Sequence, residues 1–152
     1  MVIARTLFPL LVSLVLIPQG AARADDTAQV SPRIVHPQEL QFFGPPQVPA
    51  LSAAWAVGSE KGSGLYALRV RLSSKGVLPV HTHPDDRLTT VLSGKLGIGF
   101  GAAVDRSRMS IASAGDSYLV PAGTPHFLVA LDGDVEYQEV GMGPTGTEMR
   151  KP

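Results

Sequence analysis

From Leu65 onward the chain is a series of short apolar runs separated by glycine- and proline-bearing turns, and no stretch there sustains a helical period. Runs of this length bounded by turn residues are read as strands. Leu65 to Leu72 alternates, with Tyr66, Leu68, Val70 and Leu72 on one face and Ala67, Arg69 and Arg71 on the other. That is the pattern of a strand with one buried side. Leu88 to Leu92 is the next run, and Ser93-Gly94-Lys95 after it predicts a tight hairpin. Leu96, Ile98 and Phe100 then alternate with Lys95, Gly97 and Gly99, which assigns the first three to the core. Met109 to Ala112, Tyr118 to Val120, Phe127 to Leu131 and Val135 to Val140 complete the series, with Asp132-Gly133 predicting a second hairpin. Ala53 to Val57 adds a short strand, and the Gly- and Pro-bearing tail from Gly141 is expected to be irregular. Many short strands with regular turns imply an all-β sandwich, jelly roll or barrel in a single domain.

The flanks read differently. Met1 to Arg5 is a short basic start, Thr6 to Ile17 an apolar run, and Ala22-Arg23-Ala24 a small-residue cleavage pattern. This is the layout of a secretory signal peptide, and the run is too short, and broken by Pro9, to span a bilayer. The expected organisation is a signal peptide over 1–24, cleaved after Ala24, then an extended arm over 25–52. A barrel domain over 53–145 and a tail over 146–152 follow. The mature chain is expected to be periplasmic or secreted, with no membrane association once the signal is removed. Pro37, Pro45, Pro46 and Pro49 keep the arm from forming a helix, and Phe42 and Phe43 are its expected anchors. Removing Arg5 and Arg23 with the signal lowers the basic count from 13 to 11 against 13 acidic residues, a net charge of about −2. No basic footprint for nucleic acid results. The sequence contains no cysteine, which excludes thiolate metal sites, iron–sulfur clusters and cysteine nucleophiles.

Chemistry concentrates in three histidines. In an extended strand, side chains at i and i+2 share a face, so His81 and His83 in His81-Thr82-His83 present two imidazoles together. His126 follows in Pro121-Ala122-Gly123-Thr124-Pro125-His126. Three imidazoles meeting at one point make a metal site, and neutral imidazole suits Fe, Mn, Zn, Ni or Cu. Three protein ligands with open positions describe a catalytic rather than a closed structural site. His36, isolated in the proline-rich arm, is read as a surface residue.

Gly76 to Gly94 and Gly115 to Ala130 together resemble the two signature motifs of the cupin superfamily. The first matches at His81, His83 and Gly94, the second at Gly115, Pro121, Gly123 and His126. The resemblance, to small single-domain bacterial cupins, implies a jelly-roll β-barrel with the histidines pointing into its mouth. It also implies a small-molecule ligand and a homodimer. Three departures stand out: Gly76 is one residue nearer to His81 than usual, Ala130 replaces an asparagine, and Arg87 falls where the family carries a glutamate ligand. A guanidinium cannot coordinate a cation. Three readings follow. The histidines alone hold the metal, as in three-histidine dioxygenase cupins, and Arg87 grips a substrate carboxylate. Or Asp86, or Asp85, substitutes as ligand while Arg87 turns outward. Or Arg87 abolishes metal binding and the barrel is a metal-free ligand-binding or sensing pocket for anions. Dioxygenase-like or isomerase-like chemistry on a small polar or anionic molecule is the leading expectation.

Overall fold

The computed structural model describes residues 31–150; the expected signal peptide lies outside the described residues. Among the described residues, ten strands form two five-stranded sheets. The strands are β1 Leu51–Val57, β2 Gly64–Leu72, β3 Val77–Thr82, β4 Arg87–Ser93, β5 Lys95–Phe100, β6 Ser110–Ser113, β7 Ser117–Val120, β8 His126–Ala130, β9 Val135–Gly143 and β10 Glu148–Met149. One sheet runs β1-β2-β9-β4-β7 and the other β10-β3-β8-β5-β6. The pairings are antiparallel throughout. This is an all-β jelly roll.

Alternation places the core. Val70 and Leu72 of β2, Val91 of β4 and Val135 and Tyr137 of β9 face Leu96 and Ile98 of β5 and Leu128 and Ala130 of β8. Burying each of the larger side chains contributes about 1.5–3 kcal/mol. A smaller apolar cluster, Val80, Phe127 and Val129, occupies the alternate positions of β3 and β8. Gly99 admits the Phe127 ring there, because any Cβ at that position would collide with it.

Four sequence expectations are corrected. Ser93-Gly94-Lys95 and Asp132-Gly133 do reverse the chain, with Gly94 at φ 79° and Gly133 at φ 96°, but neither closes a hairpin. Each carries the chain from one sheet to the other, since β4 and β9 belong to the first sheet and β5 and β8 to the second. Turn chemistry fixes local backbone sign, not the strand with which the next segment pairs. Phe100 is half exposed at the end of β5 rather than in the core. The tail is ordered: β9 extends to Gly143, and Glu148 and Met149 pair with Thr82 and His81 of β3.

At Gly94 a Cβ would run into the Asp134 carbonyl, whereas at Gly133 it would meet open space. Both positions hold positive φ, so both alanine variants carry strain. Gly133→Ala should lower the unfolding free energy by about 1 kcal/mol and Gly94→Ala by about 2–4 kcal/mol. Urea denaturation checks this, and equal losses would contradict the collision at Gly94.

Candidate metal centre

β3 and β8 deliver the histidines. His81, near the end of β3, is paired in register with His126 at the start of β8. His83 lies just past β3, two residues from His81 and on the same side of the chain. All three are buried. Ring centroids are 4.8 Å apart for His81–His83, 4.1 Å for His81–His126 and 5.2 Å for His83–His126. The ligand atoms the three offer lie within 4.8 Å of one another.

Each ring is held by its Nδ1. His81 Nδ1 is 2.7 Å from the Pro79 carbonyl, His83 Nδ1 2.8 Å from the Gly146 carbonyl and His126 Nδ1 2.9 Å from the Thr124 carbonyl. A carbonyl only accepts, so each Nδ1 carries the proton and each Nε2 keeps its lone pair. The Nε2 atoms of His81 and His83 are buried with no protein partner. Burial, reinforced by His126, pushes the His81 pKa down to about 3, and burial with the nearby Arg87 does the same to His83. Burial also lowers that of His126. Neutral imidazoles with fixed tautomers and orphaned, converging nitrogens are what a metal ion requires of its ligands. The donor set fits a divalent transition metal.

Arg87 opens β4 and points inward, with both terminal nitrogens engaged and Nε without a hydrogen-bond partner. One terminal nitrogen donates to Glu139 Oε2 at 2.6 Å, and the other donates to Thr145 Oγ1 at 2.7 Å and to the Gly146 carbonyl at 3.0 Å. Its Nε lies 3.7 Å from Asp85 Oδ1. Asp85 in turn accepts from the Tyr66 and Thr145 hydroxyls, each at 2.5 Å. Arg87 is thus held between two carboxylates by protein partners, which leaves little of its charge for a substrate carboxylate. Asp86 is exposed, and its Oδ1 accepts the Ala122 amide hydrogen at 2.7 Å. The cluster of converging ligand atoms consists of the three histidines and includes neither aspartate. Glu139 escaped the sequence reading. Alternation in β9 aligns it with Val135 and Tyr137 on the inward face, a legible signal that went unused. Burial pushes its carboxyl pKa up, while Arg87 pulls it back toward ionisation.

Beside this network lies a cavity of about 390 Å³, lined in part by His81, His83, Arg87, Glu139 and Trp55. Its walls also include Phe43 to Pro45 of the arm and Thr145 to Thr147 of the tail.

Residues 68–140 match the family model described as cupin domain. The chain carries a cupin domain. Among curated relatives, this cupin is similar to Germin-like protein subfamily 3 member 3 of Arabidopsis thaliana, 32% identical over 80 residues. The match covers 52% of this chain but only 37% of that relative. Among solved structures, it resembles the polyketide cyclase RemF from Streptomyces resistomycificus, with TM-score 0.67 and 16% identity over 80% of this chain and 87% of that one. It also resembles the DMSP lyase DddQ from Ruegeria pomeroyi DSS-3, with TM-score 0.63 and 17% identity over 76% and 63% of the two chains. At such identities the structural likeness establishes the fold.

Two expectations follow for this cupin. Between about pH 6.5 and 3 an unfolded chain protonates histidines that the metal-free folded protein keeps neutral. Their contribution to stability is therefore complete above pH 6.5 and is lost as pH falls toward 3. Urea midpoints should drop across that window, and drop less in the double variant His81→Asn, His83→Asn; parallel profiles would contradict the lowered pKa values. The second expectation concerns the buried ion pair. Glu139→Leu removes the nearer of Arg87's two carboxylate partners and should cost about 3 kcal/mol. The double variant Arg87→Met, Glu139→Leu should recover most of that loss, and an additive double variant would contradict the pairing.

Proposed function

We propose that this cupin holds one divalent transition metal on His81, His83 and His126 and uses it to bind or transform a small molecule in the barrel cavity. One observation carries the reading: three neutral rings are locked through Nδ1, and two of their Nε2 atoms are buried without a partner. Such a metal would supply a Lewis acid and open coordination positions. The chain's own residues then do the positioning. The Gly146 carbonyl orients His83, the Arg87–Glu139 pair anchors the segment that carries Gly146, and the cavity walls hold the ligand against the histidine end. Similarity to proteins named as a cyclase and a lyase agrees with an enzyme. The rival reading, a metal-free pocket binding anions through Arg87, loses support because Glu139 and Asp85 already offset that charge. We also propose that the mature chain begins at Asp25 and acts outside the cytoplasm, on the strength of the leader pattern alone.

Protein purified without chelator and offered Zn, Mn, Fe, Ni or Cu in turn should take up about one equivalent of at least one of them, measured by elemental analysis. His126→Ala should weaken that uptake at least tenfold. Uptake below about a tenth of an equivalent for every metal would overturn the metal reading.

A further inference from the structure

The identity of a ligand is constrained by what the cavity offers away from the histidines. Trp55, Leu68, Val70, Leu78, Tyr137 and Met149 are among the residues of the wall. Phe43, Pro45 and Val48 add an apolar strap from the arm, held in place by the reciprocal backbone pairing of Phe43 with Ala53. The charged groups that line the cavity are few. Arg87 is matched by Glu139 and lies beside Asp85. Glu60 is exposed at the cavity surface and adds another negative charge. In the metal-free protein an anionic ligand would therefore give up its hydration without finding an unmatched cation. An apolar ligand would find a desolvated, concave wall of the size small-molecule sites usually have. Among the cavity-lining residues, buried polar atoms without a protein partner are the Nε2 atoms of His81 and His83 at the histidine end, Arg87 Nε and the Tyr137 hydroxyl.

We propose that the cavity takes an uncharged, mainly apolar small molecule of one or two rings. It would carry a single oxygen donor head directed at the histidine end, while its body lies against Trp55, Leu68, Val70 and Met149. The location of the head rests on the metal-site reading; the apolar body does not. This preference departs from the small anionic substrate that the sequence suggested for Arg87. The reason is Glu139, which neutralises the arginine from the opposite strand.

Trp55 is the single tryptophan of the chain and lines the cavity, so its emission reports on occupancy. 4-Propylphenol, 4-propylbenzoate and succinate would be titrated into full-length protein, once stripped with EDTA and once loaded with zinc, with calorimetry in parallel. The expected result is saturable binding of 4-propylphenol at least tenfold tighter than either carboxylate in the stripped protein. Met149→Glu, at a partly exposed position, should weaken the phenol at least threefold without changing the melting temperature. Carboxylates binding as tightly as the phenol, or no binding of the phenol in either form by either method, would overturn the proposal. Phenol binding without uptake of zinc, or of Mn, Fe, Ni or Cu offered in its place, would leave it standing and remove the metal reading. Zinc uptake with a preference for carboxylates would do the reverse.

Discussion

The Arg87–Glu139 pair is the contact on which the site's geometry depends. Both residues project inward from neighbouring strands of one sheet, and both are buried. An unpaired charge there would be costly, so the two must be satisfied together. Arg87 then reaches two further acceptors, Thr145 Oγ1 and the Gly146 carbonyl. The same Gly146 carbonyl fixes the His83 ring. A charge pair between β4 and β9 thus sets the position of a chain segment that orients one imidazole. The Tyr66 and Thr145 hydroxyls hold Asp85 beside the same guanidinium, so five side chains share one network.

The replacement of the family's carboxylate ligand by arginine looks like a loss when viewed along the chain. In three dimensions the carboxylate is recovered from another strand, where it serves the arginine. The histidine cluster keeps three imidazoles, and the electrostatic balance beside it comes from Arg87, Glu139 and Asp85 jointly. Likeness to other cupins establishes the barrel, but at 16–17% identity it cannot carry a reaction across. The chemistry must be argued from the side chains present.

Much of this was legible in the sequence because it is local. Period-two alternation located β2 and β5, the Asp132-Gly133 turn introduced β9, and the positive-φ glycines marked genuine reversals. The spacing of His81 and His83 put both rings on one side of the chain, and the second motif placed His126. What failed was non-local. Gly94 and Gly133 announce a turn but say nothing of a change of sheet. The pairing of Glu148 and Met149 with β3 depends on residues more than 60 positions away. The sequence left Arg87 free to face inward or outward, because its partner lies 52 residues on, and only the register of β4 against β9 brings the two together. Phe100 obeyed the alternation of β5 but sits at its end, where the sheet no longer covers it.

The cavity is walled in part from outside the matched cupin domain. Residues 68–140 contribute His81, His83, Arg87 and Glu139 with the apolar Leu68, Val70 and Leu78, whereas Phe43, Val48, Leu51, Trp55 and Glu60 precede that span and Thr145, Gly146, Thr147 and Met149 follow it. The histidine cluster and part of the surface a ligand meets are thus encoded in different stretches of chain. Two proteins could share the whole of the matched domain and still present unlike cavities, so grouping such chains by their central domain sorts them by histidine cluster and leaves their ligands only partly sorted.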